Sequence, residues 1–177
     1  MIIQFSDTEL EQVHRLAMIR HNSAGIAVEP KYSKLSAYEI DLLGAMGEAA
    51  VSKLFEWAVS TMLFTNKDDG VDFKTSVGSV QVKTAASFKQ LNFYQRVPAF
   101  VADLGLFARL PEELPIGDER EFDDLGFRVE LVGWFTAEVW RSKHRVFTND
   151  SGRVSYRLPV SEMNRNFSEL VFGVGNV

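Results

Sequence analysis

The chain has 177 residues, 46% apolar and 24% charged, which suits one soluble globular domain with its own core. It has no cysteine, which excludes disulfides, cysteine zinc sites and thiol nucleophiles and fits a reducing cytoplasm. No apolar run reaches the ~20 residues that span a bilayer, and no signal peptide is read at the start. A cytoplasmic protein without a membrane partner is therefore expected.

In chain order, Ser6-Asp7-Thr8-Glu9 reads as a capping box. Leu10, Val13, Leu16 and Ala17 follow at helical spacing, so a first helix fades near residues 21–25. This helical segment, 1–30, ends in a polar loop with Pro30. Ser36-Ala37-Tyr38-Glu39 is a second capping box. The stripe Ile40, Leu43, Gly47, Val51, Leu54 and Ala58 carries its helix to about residue 60. Thr61 to Phe64 then reads as a short strand and Asn66 to Gly70 as a turn. Val71 and Phe73 alternate with Asp72 and Lys74, and Val80 and Val82 with Gln81 and Lys83, which predicts a β-hairpin turning near Val77-Gly78. Phe100 to Ala108 is a buried strand, 111–126 a long acidic loop, and Val129 to Trp134 another strand. Thr136-Ala137-Glu138 starts a helical turn, 154–158 form a late strand, and Pro159 to Glu162 lead into a short C-terminal helix. The fold class expected is α/β or α+β: one mixed central sheet with flanking helices, a core over about 36–135 and an extension over 136–177.

The net charge is −5, opposite in sign to the basic surface of most nucleic-acid binders. Its distribution is uneven. Residues 100–135 hold nine acids and three bases, whereas 139–165 hold six bases (Arg141, Lys143, Arg145, Arg153, Arg157, Arg165) and two acids. The stretch 67–96 is also locally basic, with Lys74, Lys83 and Lys89 among its cations. Handling a polyanion needs a local positive surface, not a positive total. Each basic stretch alone is equally well a solvated face.

Cutting a phosphodiester requires a divalent cation on a few oxygen ligands, plus a positive group beside the developing charge. The hairpin holds such a set. If its valines and Phe73 face the core, Asp72, Gln81 and Lys83 share the other side. The expected register places Asp72 across from Lys83 and Lys74 across from Gln81. Glu48, about a quarter-turn off the apolar stripe, falls at the border of core and solvent. Gly44 and Gly47 leave that helix free to approach the sheet closely. Each residue taken singly also has an ordinary reading: a turn aspartate, a solvent-side lysine with its polar neighbour, a surface glutamate.

Asp72, eight residues, then Gln81-Val82-Lys83, preceded by Gly44-Ala45-Met46-Gly47-Glu48 on a helix, resembles the PD-(D/E)xK nuclease superfamily in the style of its small phage and bacterial members. The resemblance covers roughly 36–135. It implies a restriction-endonuclease-like core and Mg2+- or Mn2+-dependent cleavage of DNA. By the resemblance, Asp72 is the central metal ligand, Gln81 the second ligand position, Lys83 the catalytic lysine and Glu48 the helix carboxylate, with the Val82 carbonyl a further ligand. Val71 replaces the motif's proline, and Gln81 replaces an acid, which removes one negative charge from the site. Lys74, Lys89, Arg141, Lys143 and Arg145 are the candidate nucleic-acid contacts. Thr84 and Ser87 could touch phosphate or merely end the strand. The alternative is an inactive scaffold that binds nucleic acid, or a protein partner through the acidic loop. A homodimer would suit a two-strand cut, though no residue demands one. The three histidines lack metal-ligand spacing, and phosphate-loop, serine-hydrolase and EF-hand patterns are absent.

Overall fold

A computed structural model describes residues 1–23, 35–58, 70–87, 89–96, 99–111 and 128–172. Strand β1 (Ile2–Gln4) precedes helix α1 (Asp7–Ser23). The Ser6 amide and hydroxyl both donate to the Glu9 carboxylate, at 2.7 and 2.9 Å, closing the expected capping box. The Lys53 ammonium joins at 2.7 Å, and Lys53 first, then Ser6, holds the Glu9 carboxyl down to about 2.

Helix α2 (Ala37–Phe55) opens on a reciprocal Ser36–Glu39 capping box. It stops short of the expected residue 60. Glu56 takes a left-handed φ of 57°, which turns the chain back so that Trp57 stacks on Phe55, with ring centroids 4.6 Å apart. The Ser52 hydroxyl then donates to the Trp57 carbonyl at 2.6 Å and fixes that turn.

The remaining elements are β2 (Phe73–Thr75), β3 (Gly78–Ala85), β4 (Asn92–Gln95), β5 (Leu104–Arg109), β6 (Arg128–Thr136), α3 (Ala137–Lys143), β7 (Arg145–Thr148), β8 (Val154–Pro159), a 3-10 turn Val160–Glu162 and α4 (Ser168–Phe172). They form two sheets rather than one. A five-stranded sheet has the order β1-β6-β5-β3-β2, with β3 and β5 parallel and the other pairs antiparallel. A three-stranded antiparallel sheet has the order β4-β8-β7. Strands β1, β4 and β7, each of three or four residues, are too short to show a period in sequence. The strand expected from Phe100 starts at Leu104. Thr61–Phe64, Asn66–Asp69, the Pro30 loop and all but Pro111 of the acidic loop lie outside the described residues.

The large sheet separates two apolar cores. On one face α1 and α2 pack on Val80, Val82, Leu104, Leu106 and Ala108. On the other face Phe107 and Phe135 pack with Phe93, Trp140 and Leu158 of the small sheet and α3. No described helix is long and apolar enough to cross a membrane.

Candidate functional site

The β2–β3 hairpin turns at Ser76-Val77, and Phe73 pairs with Val80, Lys74 with Ser79 and Thr75 with Gly78. The expected register was therefore two residues off. An even shift keeps each side chain on its face but changes its cross-strand partner. Asp72 consequently lies beside Gln81, not Lys83. Its amide donates to the Val80 carbonyl at 2.8 Å, and its Oδ2 accepts the Val82 amide at 2.6 Å, so the two contacts bracket Gln81.

Val80 and Val82 belong to the helix-side core, so Gln81 and Lys83 project from the opposite face. Gln81 is only 4% exposed. Its Oε1 accepts the Gln95 Nε2–H at 2.8 Å, tying β3 to β4 of the small sheet. Gly70 closes over it with a φ of +73°; a Cβ there would meet Val101 at 2.9 Å and Gln81 Nε2 at 3.2 Å. Lys83 is half-buried and its side chain makes no hydrogen bond or ion pair among the described residues.

Helix α2 reaches this region through Gly47. A Cβ at Gly47 would lie 1.8 Å from Thr84 Oγ1, so only glycine permits the approach to β3. Gly44 meets nothing within 4 Å, and close packing does not account for it. The buried side of α2 is also wider than its apolar stripe suggests. Ala45, Met46, Gly47, Glu48 and Ala50 are buried while Ile40 is exposed, because α1 covers the flank that the sheet does not.

Glu48 is therefore buried, not at the border: 6% exposed. It is held by Arg20 of α1 in a two-pronged pair, Nη1 to Oε1 and Nη2 to Oε2, both 2.6 Å. Burial alone would lower the Arg20 pKa. The hydrogen bonds and charge of Glu48, with the charges of Asp72 and Asp41 behind them, raise it above the ordinary arginine value. Arg20 thus lies in the field of Glu48 and Asp72 together. Arg20 continues the buried series Leu10, Val13, Ala17 at spacings of three and four, and a charge at the end of such a stripe was the sequence signal for it.

Among the described residues no three His, Cys, Asp or Glu side chains are grouped to hold a metal. A cation at the hairpin would rest on the Asp72 and Glu48 carboxylates, the Gln81 amide oxygen and backbone carbonyls. Hard cations that keep much of their water accept such sparse, all-oxygen sets. The donor types fit, and the two carboxylates already share one positive partner in Arg20. The occupancy differs, because both Glu48 oxygens are taken by Arg20 and Gln81 Oε1 by Gln95.

The candidate nucleic-acid contacts are scattered. Lys74, Lys89, Arg141, Lys143 and Arg145 are exposed, Lys143 standing 3.8 Å from Glu162. The Thr84 hydroxyl is buried against Gly47 with no partner among the described residues, where a ligand does not reach it. Ser87 Oγ accepts the Lys89 amide at 3.2 Å. The histidines are engaged separately: His14 with Tyr38, His21 with Asp41, His144 with the Trp140 carbonyl. Compared with known proteins, the chain matches no family model, no curated sequence and no solved structure.

Proposed function

We propose that the protein is a metal-dependent nuclease of PD-(D/E)xK type, built on a restriction-endonuclease-like core and hydrolysing phosphodiester bonds in DNA. The observation that carries this reading is the placement of Asp72. Its carboxylate is fixed on the Val82 peptide between Gln81 and Lys83, and it shares the field of Arg20 with Glu48. Asp72, Gln81 and Lys83 are thus neighbours on one hairpin, and Glu48 is linked to them through the charge of Arg20.

In this proposal Asp72 and the Val82 carbonyl would hold Mg2+ or Mn2+, Gln81 would supply a neutral oxygen, and Glu48 would be the further carboxylate ligand in place of its pair with Arg20. The bound cation would polarise the phosphodiester and acidify an attacking water. Lys83, half-buried and without a side-chain partner among the described residues, is the positive group available to orient that water and to stabilise the developing oxyanion. The Gln95 contact fixes the orientation of the Gln81 amide.

Cleavage of supercoiled duplex plasmid and of circular single-stranded DNA in Mg2+ or Mn2+, with cutting of either as the positive result, tests the reading. Wild-type protein should cut, and Asp72→Asn and Lys83→Ala should each lose about 100-fold or more in rate while remaining folded. Cleavage that survives excess chelator, or an undiminished Asp72→Asn variant, would overturn it. A second reading, a non-catalytic nucleic-acid-binding scaffold, is favoured by the engagement of Glu48 with Arg20 and of Gln81 with Gln95. Binding without metal-dependent turnover on duplex, single-stranded and branched DNA would select it.

A further inference from the structure

The small sheet is covered on one face at β4 and β8 and lies open at its β7 edge, where Val146 of the covered face is also exposed and Ser155 of the other face is buried. Phe93 and Leu158 pair across β4 and β8 and are fully buried against the large sheet. The next pair, Tyr94 with Arg157, therefore points outward. Arg157 also pairs with Arg145 of β7, and Phe147 lies on that same face opposite Ser155. The outer face is thus a row of Tyr94, Arg157 and Arg145 with Phe147 beside it. β7 is exposed along its whole length, Phe147 by 44%.

Two features separate this face from an ordinary solvated surface. Arg145 and Arg157 are directly opposed like charges, an arrangement that disfavours the sheet, and neither has an ion pair among the described residues. The Arg157 guanidinium lies over the Phe147 ring at 3.8 Å and donates from Nε to the Ser155 hydroxyl at 3.2 Å, so both planar groups are held flat before any ligand arrives. Two cations without an ion pair among the described residues, beside two aromatic rings, match a chain of phosphates carrying unpaired bases. The cations meet the backbone, and the rings offer stacking planes that any base can use. A duplex keeps its base faces stacked internally and cannot use the rings.

We infer that the outer face of the small sheet, formed by Tyr94, Arg145, Phe147 and Arg157, binds single-stranded nucleic acid. The inference rests on the nuclease reading in that it names the substrate form of the same protein. Strand β4 links the two, because Tyr94 faces outward while its neighbour Gln95 reaches inward to Gln81.

The test is fluorescence anisotropy of a labelled oligothymidylate and of a labelled duplex, titrated with full-length protein in chelator so that no strand is cut. The single strand should bind more tightly than the duplex. Phe147→Ala should weaken single-strand binding by about 5-fold or more, and Phe147→Trp should retain it. Arg145→Ala with Arg157→Ala should reduce the dependence of log affinity on log salt by about 0.7 per lost contact. An oligouridylate of the same length reports whether deoxyribose or ribose is preferred. All four side chains point outward; circular dichroism checks each variant, and Phe147→Trp keeps the stacking plane if the alanine variant unfolds. Duplex binding as tight as single-strand binding, or single-strand binding unchanged in Phe147→Ala and in the double arginine variant, would overturn the inference. Lost cleavage with single-strand binding intact would sink the nuclease reading alone. Lost binding with cleavage intact would sink this inference alone.

Discussion

On the helix-covered face of the large sheet, Arg20 gives two hydrogen bonds to Glu48 and feels Asp72 and Asp41 as well. On the outer face of the small sheet, Arg145 and Arg157 stand opposite each other with no acid paired to either among the described residues. The contrast follows from solvent. Glu48 is buried, and an uncompensated buried charge is strongly destabilising, so the fold must supply its partner. Arg145 is exposed, where water reduces repulsion at contact range to ~1 kcal/mol. Folding therefore settles the charges of the first region and leaves those of the second to solvent, where the inferred single strand would meet them.

The largest effect should come from breaking the buried pair. Arg20→Met leaves the Glu48 carboxylate buried and unpaired and should cost about 3 kcal/mol in urea denaturation. Adding Glu48→Leu should restore much of that, whereas Arg145→Ala with Arg157→Ala should leave stability within about 0.5 kcal/mol or raise it. Equal losses in both regions would erase the contrast.

The next effect concerns how α2 meets the sheet. Gly47→Ala forces a methyl into the space held by Thr84 Oγ1 and should destabilise by about 1–3 kcal/mol. Thr84→Ala removes that oxygen, so the double variant should recover part of the loss in a denaturation-based mutant cycle. Additive losses would mean that the approach of Gly47 to Thr84 is not what sets the cost.

The smallest effect is the exposed Glu9–Lys53 contact. The folded Glu9 pKa lies below its unfolded value, so its contribution is full above the ordinary glutamate range and disappears as pH falls from about 4 toward about 2. Lys53→Met should move the Glu9 carboxyl up toward its ordinary value in an NMR titration. A titration unaffected by the substitution would remove Lys53 as the leading cause.

Local signals carried far in this chain. Both capping boxes form as Ser6–Glu9 and Ser36–Glu39 spell them, because an N-cap is decided within four residues. The alternation around Val80 and Val82 correctly separates the core face from the face of Gln81 and Lys83, because strand side chains must alternate. The hairpin register was not legible: Ser76-Val77 lacks the Asn-Gly or Asp-Gly chemistry that announces a two-residue turn, and a two-residue slip preserves every face. Strands β1 and β4 were missed because each depends on a distant partner for its pairing, and β7, hairpinned to β8, because its four residues are all exposed and show no alternation.

The candidate site divides along the same line. The sequence by itself determined which residue types share the hairpin: an aspartate, a glutamine and a lysine off the core face, with a glycine-flanked glutamate on the helix before them. Tertiary structure alone decided their partners. Arg20 reaches Glu48 across 28 residues and Gln95 reaches Gln81 across 14, and in each case packing of one element on another brings the groups to 2.6–2.8 Å. Only that packing makes Glu48 a buried, neutralised carboxylate, and only the pairing of β7 with β8 sets two arginines side by side. Periodicity assigns a side chain to a face; what waits on that face is set by the rest of the fold.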